Sequence, residues 1–210
     1  MIKIIIADDH AIVRQGLKQI ISEQKDMQVI SEAKNAFDAL NIVQKKTADV
    51  LILDISMPGR TGLEIIKEAI TAKPALNILI LSMHPEEQFA ARVIKSGAKG
   101  FISKECVPEE LVKAIRRICA GGKYVSAKMT EKIIFDFETN QNVPTHEILS
   151  DREFTVMQLI ASGKTVTEIG AEMALSVKTI STYRGRILEK MKMKTNAELM
   201  QYAMKNKLVE

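Results

Sequence analysis

The sequence predicts a doubly wound α/β domain, built on a five-stranded parallel sheet, followed by a second, smaller all-α domain. Three observations carry this. Five short apolar runs alternate with five segments of helical spacing up to Gly121–Gly122. The alternation then stops. Beyond residue 148 only helical spacing remains. Strand and helix in strict alternation call for a parallel sheet covered by helices on both faces.

The predicted strands are Ile2–Ala7, Val29–Ala33, Val50–Leu53, Ile78–Leu81 and Gly100–Ile102. Their near-continuous Ile, Val and Leu suit strands buried on both faces. Between and after them, helical spacing runs through Ile12, Leu17, Ile20 and Ile21, then Ala36 to Val43, then Leu63, Ile65, Ile66 and Ile70. Two more helices follow, marked by Phe89, Val93 and Ile94 and by Leu111, Ala114, Ile115 and Ile118. Residues 122–147 read as a linker with a short helix near Thr130–Phe137, ahead of Pro144. In the last segment Ser150 and Glu153 form a capping-box pattern, and Gly163 ends that helix. Val166–Met173 is a short helix, Ser176 caps a longer one to about Met191, and Thr195 with Glu198 offers another capping box. The domains are therefore expected at 1–121 and 148–210.

Composition is that of an ordinary globular chain: 210 residues, 46% hydrophobic and 27% charged, with 10 Gly and 5 Pro. This excludes a collagen-like, disordered or disulfide-dense protein. No apolar run approaches the roughly 18 residues of a membrane span. Asp8 and Asp9 interrupt the first apolar run too early for a signal peptide, so a cytoplasmic chain is expected. Cys106 and Cys119 have no metal spacing, and His84 and His146 suggest no partner. Charge is more telling. Residues 178–194 carry six basic side chains against Glu189 alone, a local surplus larger than the +4 of the whole chain. Either a polyanion partner or a solvated basic helix face accounts for it.

The strand ends carry the chemistry. The first strand leads into Asp8–Asp9, the third into Asp54, the fourth into Ser82, and Lys104 follows the fifth. In an open parallel sheet, ligands bind beyond these carboxyl ends. Three converging carboxylates suit a hard cation such as Mg²⁺. Ser82 and Lys104 would hold phosphoryl oxygens, and Asp54 would be the nucleophile. Taken singly, Asp9 could equally cap a helix, and His10 is a ligand candidate or, more simply, part of the helix entry.

Ala7-Asp8-Asp9-His10, Leu53-Asp54-Ile55-Ser56-Met57-Pro58-Gly59, Leu81-Ser82 and Gly100-Phe101-Ile102-Ser103-Lys104 together resemble the receiver domain of two-component response regulators. The resemblance implies a flavodoxin-like fold in which Asp54 accepts a phosphoryl group from a sensor histidine kinase. It implies Mg²⁺ held by Asp8, Asp9, Asp54 and the Ser56 backbone carbonyl. Lys104 and Ser82 would contact the phosphoryl oxygens. An inward shift of Ser82 would open space for the Phe101 ring, a bistable element biased by local charge.

The pair Val166–Met173 and Ser176–Met191 has helix-turn-helix proportions, whose second helix enters the major groove. Leu149-Ser150-Asp151-Arg152-Glu153, Gly163-Lys164-Thr165, Glu168-Ile169-Gly170, Ser176-Val177-Lys178-Thr179-Ile180 and Lys190-Met191 resemble the LuxR-type DNA-binding domain. Receiver plus this module is the NarL/FixJ layout. By that resemblance Lys178, Ser181, Thr182, Arg184 and Gly185 sit where relatives meet DNA, and the last helix is a dimer surface. Arg184 and Arg186 are expected as backbone anchors or as a reader of guanine. Ser181 stands where some relatives have Lys, Tyr183 where many have His, and Gly185 lacks a side chain at a usual contact.

The expected function is a DNA-binding response regulator, not an enzyme. Phosphorylation of Asp54 would control homodimerisation and binding to double-stranded DNA, with RNA polymerase a further candidate partner and no membrane. Two rivals remain at this point: a Mg-dependent aspartyl-phosphate phosphohydrolase, and a receiver with a protein-binding output. A hydrolase commonly places a second Asp two residues after its nucleophile; here that residue is Ser56.

Overall fold

The computed structural model describes residues 1–57, 62–83, 86–105, 108–126, 130, 145–206 and 208–209. Two compact units divide the chain, Met1–Ile133 and Ile134–Glu210. Pro58, Gly59, His84, Cys106, Pro144 and nearly all of the helix expected near 130–137 lie outside the described residues.

In the first unit β1 (Ile2–Ala7), β2 (Met27–Ala33), β3 (Val50–Asp54), β4 (Asn77–Ser82) and β5 (Gly100–Ser103) alternate with five helices. These are α1 (Ala11–Ser22), α2 (Ala36–Lys45), α3 (Gly62–Ala72), α4 (Glu86–Lys95) and α5 (Pro108–Cys119). All neighbouring strands are parallel, in the order β2-β1-β3-β4-β5. The order reverses between β1 and β3, which opens a crevice at their carboxyl ends. Ile4, Ile6, Val50, Ile52, Leu79, Leu81 and Ile102 form one face and pack with Leu17 and Ile21 of α1 and Leu111, Ala114, Ile115 and Ile118 of α5. Side chains alternate along a strand. Ile5, Leu51, Leu53, Ile78, Ile80 and Phe101 therefore lie on the opposite face, and all are buried.

β2 begins two residues before the expected Val29, because backbone pairing draws in Met27 and Gln28 opposite Ile2 and Lys3. β4 likewise starts at Asn77, whose amide N–H donates to the Asp49 carbonyl at 3.0 Å. Both sheet edges are occupied. Lys46 Nζ donates to the Ile30 carbonyl (3.0 Å) and Ser31 Oγ (3.1 Å) on β2. Beyond β5, Tyr124 forms a parallel bridge to Gly100. The Phe101 N–H donates to the Tyr124 carbonyl, and the Tyr124 N–H to the Lys99 carbonyl, both at 2.9 Å. Arg117 Nε donates to the Lys123 carbonyl (2.8 Å), and the Ser126 N–H to Glu86 Oε1 of α4 (2.8 Å). Residues 123–126, at the start of the expected linker, are thus zipped onto the sheet. Gly100 permits this approach: a Cβ there would stand 2.8 Å from Leu79 Cδ1 and 3.0 Å from the Tyr124 carbonyl oxygen.

The second unit opens with a 3-10 turn, Thr145–Ile148, and continues with α6 (Asp151–Ala161), α7 (Val166–Glu172), α8 (Val177–Met191) and α9 (Asn196–Lys205). Phe154, Val156, Met157, Ile160, Ile169, Ile180, Ile187, Met191, Leu199 and Ala203 form its core. α6 packs against α7, α8 and α9. The caps follow the short polar residues between helices. Ser150 and Glu153 form the expected reciprocal box, and Ser176 Oγ accepts from the Thr179 N–H at 3.1 Å. Gly163, at φ +87°, ends α6 in the left-handed region. Thr165 and Glu168 make a second full box. At α9 the box is only half made. Thr195 Oγ1 accepts from the Glu198 N–H, but the Glu198 carboxylate takes the Lys194 N–H, one residue upstream. His146 has partners: its Nδ1 lies 3.0 Å from the Tyr202 hydroxyl, and its ring faces Phe154 at 5.9 Å between centroids.

Candidate functional site

Two arrangements gather the residues singled out above. The first lies at the carboxyl edge of the sheet. Asp54 ends β3 and Asp8 follows β1, each 1% exposed, while Asp9 sits at the rim. Lys104 follows β5. Its Nζ donates to Asp54 Oδ2 at 2.8 Å and lies 2.7 Å from Asp8 Oδ2. The second contact is an ion pair, and Asp8 Oδ2, which is buried, has no hydrogen-bond partner among the described residues. Burial works against the Lys104 ammonium, but its hydrogen bond to Asp54 and the negative charges of Asp54 and Asp8 outweigh that and hold its pKa above the ordinary 10.5. The cation is fixed in place at neutral pH.

The surrounding backbone sets this geometry. Ser56, exposed in the turn after β3, donates its N–H to Asp54 Oδ1 at 3.0 Å. The Lys104 N–H donates to the Ser82 carbonyl at 2.8 Å, tying the turn after β5 to the end of β4. Arg14 Nη1 donates to the Asp8 carbonyl, also at 2.8 Å. His10, rather than Asp9, occupies the N-cap position of α1, and it makes no side-chain cap bond. Its N–H donates to Asp8 Oδ1 (2.8 Å), and its Nδ1 lies 2.9 Å from Asp9 Oδ1 and 3.2 Å from Asp8 Oδ1. One ligand atom from each of Asp8, Asp9, His10 and Asp54 falls within 4.8 Å of the others. An oxygen-rich cluster that includes a buried carboxylate oxygen, ion-paired but without a hydrogen-bond partner among the described residues, fits a hard divalent cation.

Ser82 and Phe101 are 0% and 3% exposed. Register pairs Ile80 with Phe101 and Ser82 with Ser103, so by alternation Ser82 and Phe101 share the face opposite α1 and α5. The aromatic ring already occupies the interior.

The second arrangement is on α8. Lys178, Ser181, Thr182 and Gly185 are all exposed and, at about 100° per residue, fall within one arc of the helix. Arg186 is exposed, while Arg184 is half-buried with its Nε donating to Asn196 Oδ1 at 2.7 Å. The Thr182 hydroxyl donates back to the Lys178 carbonyl at 3.0 Å, which leaves it free to accept. Lys190 belongs to the basic cluster in sequence, yet its Nζ is committed to buried Glu153 at 2.7 Å. That pairing, like Arg184 with Asn196, joins different helices and has no spacing signal. The helix-turn-helix itself depends on Gly170, where a Cβ would come within 2.8 Å of the Leu175 carbonyl oxygen. No helix among the described residues is long and apolar enough to cross a membrane.

Comparison with known proteins bears on both arrangements. Residues 4–116 match the response regulator receiver domain family, and residues 147–203 match the bacterial regulatory proteins of the luxR family. The oxygen regulatory protein NreC of Staphylococcus carnosus (strain TM300) is 37% identical over 215 residues, covering 99% of both chains. NreC of Staphylococcus aureus (strain JH9) is 39% identical with the same coverage. Among solved structures, the Salmonella typhimurium RcsB response regulator superposes with a TM-score of 0.74 at 29% identity, covering 98% of each chain. RcsB of Salmonella enterica serovar Typhimurium bound to promoter rprA with the phosphomimetic BeF3- gives 0.67 at 26% identity, covering 96% of this chain and 97% of that one.

Proposed function

Because the chain belongs to the two-component response regulators that join a receiver domain to a LuxR-type DNA-binding module, we propose that Asp54 is its phosphoacceptor and that α8 reads DNA. The family is one of DNA-binding transcription regulators, not of enzymes. The observation that carries the receiver reading is the Lys104 ammonium, 2.8 Å from Asp54 Oδ2 and 2.7 Å from the buried Asp8 Oδ2.

A carboxylate oxygen of Asp54 attacks the phosphorus of a phosphohistidine on the sensor kinase. An O–P bond forms as the P–N bond breaks, and the imidazole leaves. Lys104 then moves its charge from the carboxylate to a phosphoryl oxygen, where the Ser82 hydroxyl also donates. Asp8, Asp9, Asp54 and the Ser56 carbonyl would hold Mg²⁺, whose charge offsets that of the phosphoryl oxygens. Ser82 and Phe101, on one face of the sheet, pass the change to the surface around α4 and β5. The chain is read as receiver 1–121 together with the strip 123–126 bonded to its sheet, a linker from there to 147 and DNA-binding module 148–210, working in the cytoplasm as a phosphorylated homodimer. On α8, Lys178, Ser181, Thr182 and Gly185 meet bases, and Arg184 and Arg186 meet phosphates. RNA polymerase is the further partner of a bound regulator.

The test is capture of fragmented genomic DNA by purified protein with and without beryllofluoride and Mg²⁺. Enrichment of a few paired half-sites with the mimic is expected, and none for Asp54→Asn. Equal enrichment in both states would overturn the control by Asp54. No enrichment at all would overturn the DNA reading and favour a protein-binding output.

A further inference from the structure

We propose that Asn196, at the start of α9, is a positioning residue for DNA binding that holds the Arg184 guanidinium ready for a phosphate. The inference rests on the reading of α8 as the DNA-contacting helix. Arg184 lies about 110° to one side of the centre of the Lys178–Ser181–Thr182–Gly185 arc, and Arg186 about 90° to the other. A helix laid in the major groove with that arc toward the bases offers one arginine to each phosphate wall.

The two arginines are presented differently. Arg186 is exposed, whereas Arg184 is half-buried and its Nε donates to Asn196 Oδ1 at 2.7 Å. The guanidinium is planar, so fixing its Nε edge fixes the whole fork and leaves the terminal nitrogens to donate. Asn196 is itself held. It is the first residue of α9, directly after the N-cap Thr195, whose hydroxyl accepts from the Glu198 N–H at 3.2 Å. The chemistry of the anchor matters too. An amide oxygen orients a cation without neutralising it, and no carboxylate pairs with Arg184 among the described residues. Lys190, by contrast, gives its charge to Glu153. Arg184 therefore keeps its full charge for an anion while its side chain is already ordered, so binding has less freedom to remove.

The experiment is a double-mutant cycle on the full chain, using a fluorescent mixed-sequence duplex and a series of salt concentrations. Arg184→Ala should weaken binding and make the salt slope shallower by about 0.9, as expected for one lost phosphate contact. Asn196→Ala should weaken binding roughly three- to tenfold and have no further effect in the Arg184→Ala background. A loss of equal size in both backgrounds would overturn the proposal, because Asn196 would then serve only the start of α9. If Arg184→Ala leaves both affinity and slope unchanged, the phosphate reading of Arg184 fails first. Asn196→Ser, too short to reach the guanidinium but well suited to a helix start, repeats the cycle should the alanine variant unfold.

Discussion

Gly185→Ala should stabilise this protein and weaken its grip on DNA. A glycine inside a helix is about 1 kcal/mol less favourable than alanine. The added Cβ would meet nothing within 4 Å, and Gly185 is absent from the residues at positive φ. The gain should therefore be realised nearly in full. Amide hydrogen exchange at Ile180 and Ile187, buried in α8, should slow about fivefold for a gain of that size. The same methyl stands on the exposed arc beside Thr182 and Ser181. If that arc closes on base edges, the methyl overfills a packed contact, at a cost of about 1–3 kcal/mol. Fluorescence anisotropy on a duplex carrying the captured half-sites should then show binding roughly five- to 150-fold weaker. Slower exchange with unchanged affinity would refute the placement of Gly185 against DNA. Unchanged exchange would refute the account of α8 as a regular helix at this point.

Gly170→Ala should act by the opposite route. Its Cβ would press within 2.8 Å of the Leu175 carbonyl oxygen, costing about 1–3 kcal/mol, so both the thermal midpoint and DNA affinity should fall. Unaltered melting would contradict the close packing of α7 on α8. At Glu153, burial pushes the carboxyl up, but hydrogen bonds from Lys190 and from the backbone and hydroxyl of Ser150 bring it below its ordinary 4.5. The stability it contributes is full above 4.5 and fades as pH falls through the lower folded value. Glu153→Gln should flatten that acid limb in circular dichroism, and matching acid titrations would count against the pairing. Lys104 has the reverse sign. Its raised pKa means that its contribution is full below 10.5 and is lost only as pH climbs through the higher folded value. Lys104→Met should remove that alkaline step from the receiver's unfolding profile, and a step that persists would assign it to another group.

The central strands were legible because burial on both faces erases polar alternation, as in Ile4-Ile5-Ile6 and Leu51-Ile52-Leu53. Their beginnings were not, since Gln28 and Asn77 join the sheet through backbone pairing, to which side-chain pattern is blind. Asp8, Asp54 and Lys104 stood out because charge at the end of an apolar run is conspicuous, and the fold brings them together. His10 was legible as part of the helix entry, and it is the N-cap of α1, but its ring contacts with Asp8 and Asp9 were not, because adjacency says nothing of where a ring turns. The Thr165–Glu168 box repeats the spacing at Ser150–Glu153 and was open to the same reading. Arg184 with Asn196 and Lys190 with Glu153 depend on how helices cross, which no local spacing encodes.

The strip of chain beyond α5 also bears on how a receiver can be excised for study. Cut after Gly121, the fragment would lose Tyr124 and with it the acceptor of the Phe101 N–H and the donor to the Lys99 carbonyl. A short apolar edge strand would then stand open, and such edges recruit second copies of themselves. Self-association of that fragment would be an artefact of the scissors rather than a response to phosphate. A fragment ending at Ser126 retains its own selvedge, with the last knot tied to Glu86.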